Sequence, residues 1–337
     1  MGLDDQKFEY TWREGRDTPL IALISNPQST TNKKKLPVIR KFVEASHSIV
    51  HFVMSDIESI SNALALFNKA KPDVIIINGG DGTVGAVLAA IFYRDLLDYE
   101  PVVAILPGGK TNMTATDYGA SGAPEKILDR IIKLGNSGEL LHCIERRNLI
   151  ELDLGNGSEP KVGTFFGAAG IVKGIRWCRK HAYSKGLPMG MAHFWSFLKL
   201  TTAALGLSRD KTLMESGPMS MRVEGGGVFN GNYAVVLATT LDKLLFGMKP
   251  YGVEGVGGLR FSSIEPGGFN VLRAMRAIIT GSFGRVELDG IHTRRSNEIS
   301  IEGPDPITLD GEIYKPTFGV PMKLKGDRSL PFVILRH

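Results

Sequence analysis

The chain has 337 residues, 43% hydrophobic and 22% charged, which excludes a disordered or fibrous protein. At about 100–200 residues per domain, that length predicts two domains. Forty Lys+Arg against 35 Asp+Glu leave a net charge of +5, which suits an anionic partner such as a nucleotide, a nucleic acid or a membrane surface.

Two cysteines, Cys143 and Cys178, are too few for a disulfide framework or a zinc site. Residues 1–18 are polar, without the apolar core of a signal peptide. No run of about 18 apolar residues is present to span a bilayer. A reduced, cytosolic setting is therefore expected.

In chain order, residues 20–25 (LIALIS) read as a buried strand ended by Asn26-Pro27. A helix follows over 33–46, and a strand over 49–54. Residues 57–70 read as an amphipathic helix with Ile57, Ile60, Leu64 and Phe67 on one face. After Pro72 come the strand DVIII, the turn NGGDGT, a helix from about 84 to 92, the strand VVAIL (102–106) and the turn PGGKTN. Strands alternating with helices predict a mostly parallel sheet, a pattern that holds to about residue 135.

Beyond residue 148, the runs LIELDL, VGTFFGA, MSMRVEG, YAVVLATT, LRFSSIE, RVELDG and EISIEG are separated by Gly, Pro or Asn, which predicts an antiparallel β domain. Helical stretches interrupt it at about 188–206 and 270–280. The predicted organisation is an α/β domain over 19–147, completed by 321–337, and a β domain over 148–320.

Two glycine turns carry the chemistry. Gly79-Gly80-Asp81-Gly82-Thr83 lies between a buried strand and a helix, where backbone N–H groups and the helix dipole favour a phosphate. Gly80-x-Gly82-x-x-Gly85 also fits a dinucleotide fingerprint, but no acid ends the next strand to hold a ribose, so an oxidoreductase is the weaker reading. Pro107-Gly108-Gly109-Lys110-Thr111-Asn112 ends like a P-loop, yet the first glycine of that motif would have to be residue 104, which is Ala104. What remains is a pair of Gly-Gly turns at the carboxyl ends of two strands, where open α/β sheets bind ligands.

These residues resemble the diacylglycerol kinase catalytic family, which includes sphingosine and ceramide kinases and is distantly similar to NAD kinases. The resemblance rests on Gly79–Thr83, on Pro107-Gly108-Gly109 with Asn112, and on Asp310-Gly311-Glu312, in that order. It implies an NAD kinase-like α/β nucleotide domain followed by an antiparallel β-sandwich lipid domain. It also implies ATP and Mg²⁺ as cofactors, and transfer of the γ-phosphoryl group to a lipid hydroxyl. Nucleotide contacts then fall to Asn26, Gly79, Gly80, Asp81, Gly82, Thr83, Gly108, Gly109, Lys110, Thr111 and Asn112, with Asp81 oriented toward the metal. The resemblance implies that Glu312, supported by Asp310, takes the proton; read from the residues alone, Asp310-Gly311 is first of all a hairpin turn.

Three positions depart from the family pattern. Lys110 stands where the family usually has Thr, and Met113 where it has an acid. Gly257-Gly258-Leu259 replaces the Asp-Gly-Leu of an accessory metal loop.

Residues 161–211 hold nine Lys/Arg against Asp210 alone, so this segment carries +8 and the rest of the chain, out of +5, carries −3. Phe194, Trp195, Phe197 and Leu198 lie within it, the composition of an interface helix on an anionic membrane or of a core-facing helix with a basic end. No nucleic-acid-binding motif is present, and His181 and His193 read as surface or packing residues, not metal ligands. The expectation is a lipid kinase at the cytoplasmic face of a membrane, acting on diacylglycerol or a ceramide or sphingoid lipid. The alternatives are a soluble-substrate kinase of the NAD kinase type and a catalytically dead lipid- or nucleotide-binding homologue.

Overall fold

The computed structural model describes residues 10–13, 16–181, 217–244, 247–252, 254–303, 305–317 and 319–336. The helix expected over 188–206, with Phe194, Trp195, Phe197 and Leu198, and His193 fall outside them. The chain divides into two units, Met1–Arg147 with Leu330–His337, and Asn148–Ser329.

The first unit runs β1 (Ile21–Ser25), α1 (Asn32–Glu44), β2 (Ile49–Val53), α2 (Ser59–Ala70), β3 (Val74–Gly79), α3 (Asp81–Tyr93), β4 (Val102–Pro107), α4 (Met113–Asp117), α5 (Pro124–Asn136) and β5 (Ile144–Asn148). The second runs β6 (Ile150–Asp153), β7 (Lys161–Gly163), β8 (Phe165–Ala169), α6 (Gly170–His181), β9 (Met219–Val223), β10 (Gly227–Gly231), β11 (Val235–Thr239), β12 (Leu259–Ile264), α7 (Gly268–Thr280), β13 (Ile291–Ser296), β14 (Glu298–Glu302), β15 (Ile307–Leu309), β16 (Glu312–Tyr314) and β17 (Met322–Lys325). Strand β18 (Ser329–Val333) returns the chain to the first unit.

The sheet of the first unit has the order β2-β1-β3-β4-β18-β5. Its central strands β1, β3 and β4 are buried at every residue, which is why they read as unbroken apolar runs: a parallel sheet is covered on both faces. From β1 the chain goes outward to β2, then returns to the other side of β1 as β3. Strand order reverses there, so the connections leaving β1 and β3 part and open a crevice at the carboxyl edge.

Helix α2 buries Ile60, Ala63, Leu64 and Phe67. Ile57, expected on that face, is instead 49% exposed. The helix begins at Ser59, and Ile57 lies in the turn before it, where the Asp56 carboxylate accepts the Ser59 N–H at 2.8 Å.

The second unit is a sandwich of two six-stranded sheets, β10-β9-β14-β17-β6-β7 and β13-β12-β11-β8-β15-β16. Ile150, Leu152, Met221, Ile299 and Leu324 from one sheet and Phe166, Val236, Phe261, Ile307 and Leu309 from the other share one core. The run VGTFFGA, expected as one strand, is broken at Thr164 into β7 and β8. RVELDG, also expected as a strand, forms only isolated bridges, Val286 with Phe283 and Leu288 with Ile291.

The return to the first unit is shorter than the 321–337 expected. Met322–Lys325 stays in the second unit, between β14 and β6. The two tail strands differ in pattern: β17 alternates Met322 and Leu324 inward with Lys323 outward, as an antiparallel sandwich strand does. Strand β18 buries four consecutive residues, as a strand covered on both faces must, and Phe332 packs against Tyr118 at 5.0 Å between ring centroids.

Candidate functional site

The turns after β3 and β4 lie side by side because their strands pair in register, Gly79 opposite Pro107. The Gly108 N–H donates to the Gly79 carbonyl at 3.1 Å. A Cβ on Gly109 would lie 2.3 Å from the Gly80 Cα, and one on Gly80 would lie 3.2 Å from the Gly109 Cα. The two backbones therefore touch directly. Glycine is required here first by the neighbouring turn, before any ligand is considered. Gly80 itself has ordinary extended backbone (φ −85°, ψ 172°), so the demand is for space, not for an unusual conformation.

The loop after β1 ties both turns down. Ser29 Oγ accepts the Gly80 N–H at 3.2 Å. The Thr31 N–H donates to the Gly108 carbonyl at 3.0 Å, and its hydroxyl donates to the Gly109 carbonyl at 2.9 Å. Asn26 Nδ2 donates to Thr83 Oγ1 at 2.8 Å. Asn32 Nδ2, fully buried, bridges the Asn26 and Asn78 carbonyls at 2.9 Å each. Asn26 and Thr83 were among the residues expected from sequence. Ser29, Thr31, Asn32 and Asn78 were not, although a Ser/Thr/Asn cluster directly after a strand is itself a sign of backbone capping.

Below the turns, Asn78 Nδ2 donates to Ser25 Oγ at 3.1 Å, and His51 Nε2 shares a hydrogen bond with the same hydroxyl at 2.9 Å. Burial, with the Arg40 charge adding to it, pushes the His51 imidazole down to about 4, so it is neutral near pH 7. The side-chain oxygens Asn32 Oδ1 and Asn78 Oδ1 are buried acceptors without a hydrogen-bond partner among the described residues.

Asp81 opens α3, and its carboxylate reaches across to α4. It accepts backbone N–H groups from Met113, Thr114 and Asn112, at the start of that short helix. Burial nonetheless holds its carboxyl above the usual range, against the pull of those bonds. Asn112 takes a left-handed backbone (φ 49°) and closes the second turn: its Oδ1 accepts the Gly109 N–H at 2.8 Å. Gly82 and Lys110 are exposed and Thr111 is half-buried. Gly79–Thr83, Gly108–Asn112 and Asn26 are thus assembled at one crevice.

In the second unit, Asp310 and Gly311 both have left-handed backbone (φ 47° and 89°) and form the two-residue turn joining β15 to β16. The hairpin reading of Asp-Gly therefore holds, but the side chain does more. Its carboxylate accepts the Thr164 N–H (3.0 Å), the Thr164 hydroxyl (3.1 Å) and the Phe165 N–H (2.9 Å). Those bonds sit at the break that separates β7 from β8 and satisfy backbone groups the ladder leaves there. Glu312, two residues on, is exposed. Tyr314 shares the hairpin, and burial, reinforced by the Glu312 and Asp310 charges, raises its hydroxyl above the ordinary value.

Gly257-Gly258-Leu259, expected in place of an accessory metal loop, is closely packed. Gly257 has φ 140°, and a Cβ on it would lie 2.2 Å from the Ser296 carbonyl carbon. No aspartate fits there. The Arg295 guanidinium donates to the Gly257 carbonyl through Nε (3.1 Å) and Nη2 (2.8 Å), so a cationic side chain already serves this oxygen.

Compared with known proteins, residues 20–139 match the model of the diacylglycerol kinase catalytic domain. A solved structure of a "putative diacylglycerol kinase" from Bacillus anthracis str. Sterne is similar with a TM-score of 0.63 at 16% identity, over 93% of this chain and 96% of that one. A second "putative diacylglycerol kinase" structure from the same organism gives 0.62 at 17% identity over the same shares. At such identity the likeness establishes the fold. No curated protein matches the chain in sequence.

Two outcomes follow from this geometry. Asp310→Ala strands two backbone N–H groups and should cost about 3 kcal/mol in urea unfolding, while Glu312→Gln, at an exposed site, should stay within about 0.5 kcal/mol; equal costs would refute the division of labour. Stripping divalent cations with a chelator should leave the melting temperature of the full chain within about 1 °C, and a fall of about 4 °C or more would show a structural ion after all.

Proposed function

We propose, from the match of residues 20–139 to the diacylglycerol kinase catalytic-domain model, that the protein is a lipid kinase that transfers the γ-phosphoryl group of ATP to the hydroxyl of a membrane lipid. Diacylglycerol and ceramide or sphingoid lipids are the acceptors proposed, and the cytoplasmic face of a membrane is the proposed place of action. Among the described residues, no helix is long and apolar enough to cross a membrane.

The observation that carries this reading is the interlock of Gly80 with Gly109 at the carboxyl ends of the neighbouring strands β3 and β4, beside the crevice that opens between β1 and β3. It leaves a wall of bare backbone at the carboxyl edge, beside the N-terminus of α3. A polyphosphate can lie close to such a wall and gain from the helix dipole. Lys110 adds a positive charge at the rim, in the place where the family carries Thr.

Phosphoryl transfer asks the protein chiefly for positioning, charge neutralisation and a proton acceptor. In the proposed reaction, the lipid oxygen forms a bond to the γ-phosphorus as the bond from that phosphorus to the β–γ bridging oxygen breaks. ADP leaves, and the hydroxyl proton passes to the Glu312 carboxylate. Asp310 holds the hairpin that carries Glu312. Asp81 is the only carboxylate on the two glycine turns, and its oxygens already accept backbone N–H groups. It therefore suits orienting the water shell of a magnesium ion better than binding the ion as one of several direct ligands. When bound, that ion neutralises charge on the phosphates.

Radiolabelled ATP with a panel of dispersed lipids tests this. A labelled phospholipid should form with at least one acceptor. Glu312→Gln should lower turnover by about 100-fold or more while ATP affinity stays near that of the unaltered chain. ATP binding without transfer to any lipid would instead mark a catalytically dead homologue.

A further inference from the structure

Helix α7 packs on its sheet through small residues. Ala274 and Ala277 are buried against Ile264, Phe283 and Ile291, with Val271 and Ile278 filling the margins. The opposite face departs from the usual economy of a surface helix. Phe269, Leu272, Arg276 and Ile279 follow one another at intervals of three, four and three residues, so they form a single outward line. Phe269 is 75% exposed, Leu272 45% and Ile279 79%, and Val286, just beyond the helix, is 58% exposed. Polar side chains would be cheaper at such positions, and an exposed apolar row marks an interaction surface.

The charges say what kind of surface. Helix α7 has two arginines and no acidic residue. Arg273 stacks over the Phe269 ring at 5.4 Å and donates to the Asp289 carbonyl at 3.1 Å, at the edge of the line. Arg276 lies within the line, between Leu272 and Ile279; beside Val286, Arg285 and Glu287 are both exposed, so the positive charge on the line itself is that of Arg276. Arg273 pairs with the Asp289 carboxylate at 3.7 Å, whereas the ion pairs among the described residues include neither Arg276 nor Arg285. An arginine flanked by outward Leu and Ile suits the boundary of a bilayer: its stem lies along apolar side chains while the guanidinium reaches a lipid phosphate. A water-facing helix gains nothing from that arrangement, and an uncharged apolar partner would leave Arg276 buried without a counter-charge.

We propose that the outward face of α7 is a membrane-docking surface. Phe269, Leu272 and Ile279 insert among the acyl chains, and Arg276 pairs with an anionic headgroup. The proposal rests on the lipid kinase reading for its purpose but concerns binding, not transfer, and it is independent of the basic segment over 161–211.

The test is co-sedimentation of the full chain with vesicles of phosphatidylcholine, with and without phosphatidylglycerol. The chain should bind the anionic vesicles. Phe269→Ser with Ile279→Ser should weaken that binding by more than about tenfold. Arg276→Glu should weaken it by roughly tenfold and flatten its dependence on salt. These side chains point outward, so unchanged melting temperatures should accompany the losses. Vesicle binding that survives all three substitutions would overturn the proposal, as would no binding by the unaltered chain. A dimer in solution that the double serine variant converts to monomer would also overturn it, since a second copy would then cover the face. Transfer to a lipid in detergent micelles, measured on the same variants, separates the two readings: it should persist when vesicle binding is lost, and its absence in the unaltered chain counts against the kinase, not the surface.

Discussion

The candidate site of the first unit depends on the direct contact between the Gly80 and Gly109 backbones, which the in-register pairing of β3 and β4 brings about. Two neighbouring parallel strands deliver their turns to one place, and hydrogen bonds from Ser29 and Thr31 lock them there. Any side chain at Gly109 would have to push the Gly80 backbone away. This arrangement suits a phosphate-binding wall because it keeps side-chain bulk off the crevice and is rigid before a ligand arrives, so little ordering entropy is lost on binding.

The acidic residues of the two main motifs share an unexpected feature. Asp81 and Asp310 each spend their carboxylates on backbone N–H groups, Asp81 at the start of α4 and Asp310 at the break between β7 and β8. Both act first as ties between elements distant in sequence. Glu312 is left as the exposed carboxylate of its motif, which suits it to the proton-accepting role proposed for it. The same economy appears at Gly257, where the Arg295 guanidinium serves the carbonyl of a loop that has no room for an aspartate.

Much of this was legible in the sequence because the central strands are unbroken apolar runs and the glycine turns follow them directly. The residues that failed to declare themselves did so for physical reasons. Ile57 has the right spacing for the buried face of α2, but the helix starts only at Ser59 and leaves it in the preceding turn. VGTFFGA reads as one strand because its break is made by a carboxylate from Asp310, 146 positions away from Thr164. RVELDG alternates like a strand but gains only isolated bridges, while IHTRRS, too polar to suggest one, pairs along its length with β12. Periodicity reports what a segment could bury; tertiary partners decide what it does bury. The outward face of α7 was illegible for a related reason, since only packing shows which of its apolar residues the core declines to take.

The central claim is that the two glycine turns, held in backbone contact, form the nucleotide site. Titration of ATP into the full chain and into Gly109→Ala, with the melting temperature of each recorded, tests it most directly. The account predicts that the alanine, by forcing the turns apart, weakens ATP binding by about 100-fold while the variant still melts cooperatively. ATP binding of equal strength in a folded Gly109→Ala protein would contradict it.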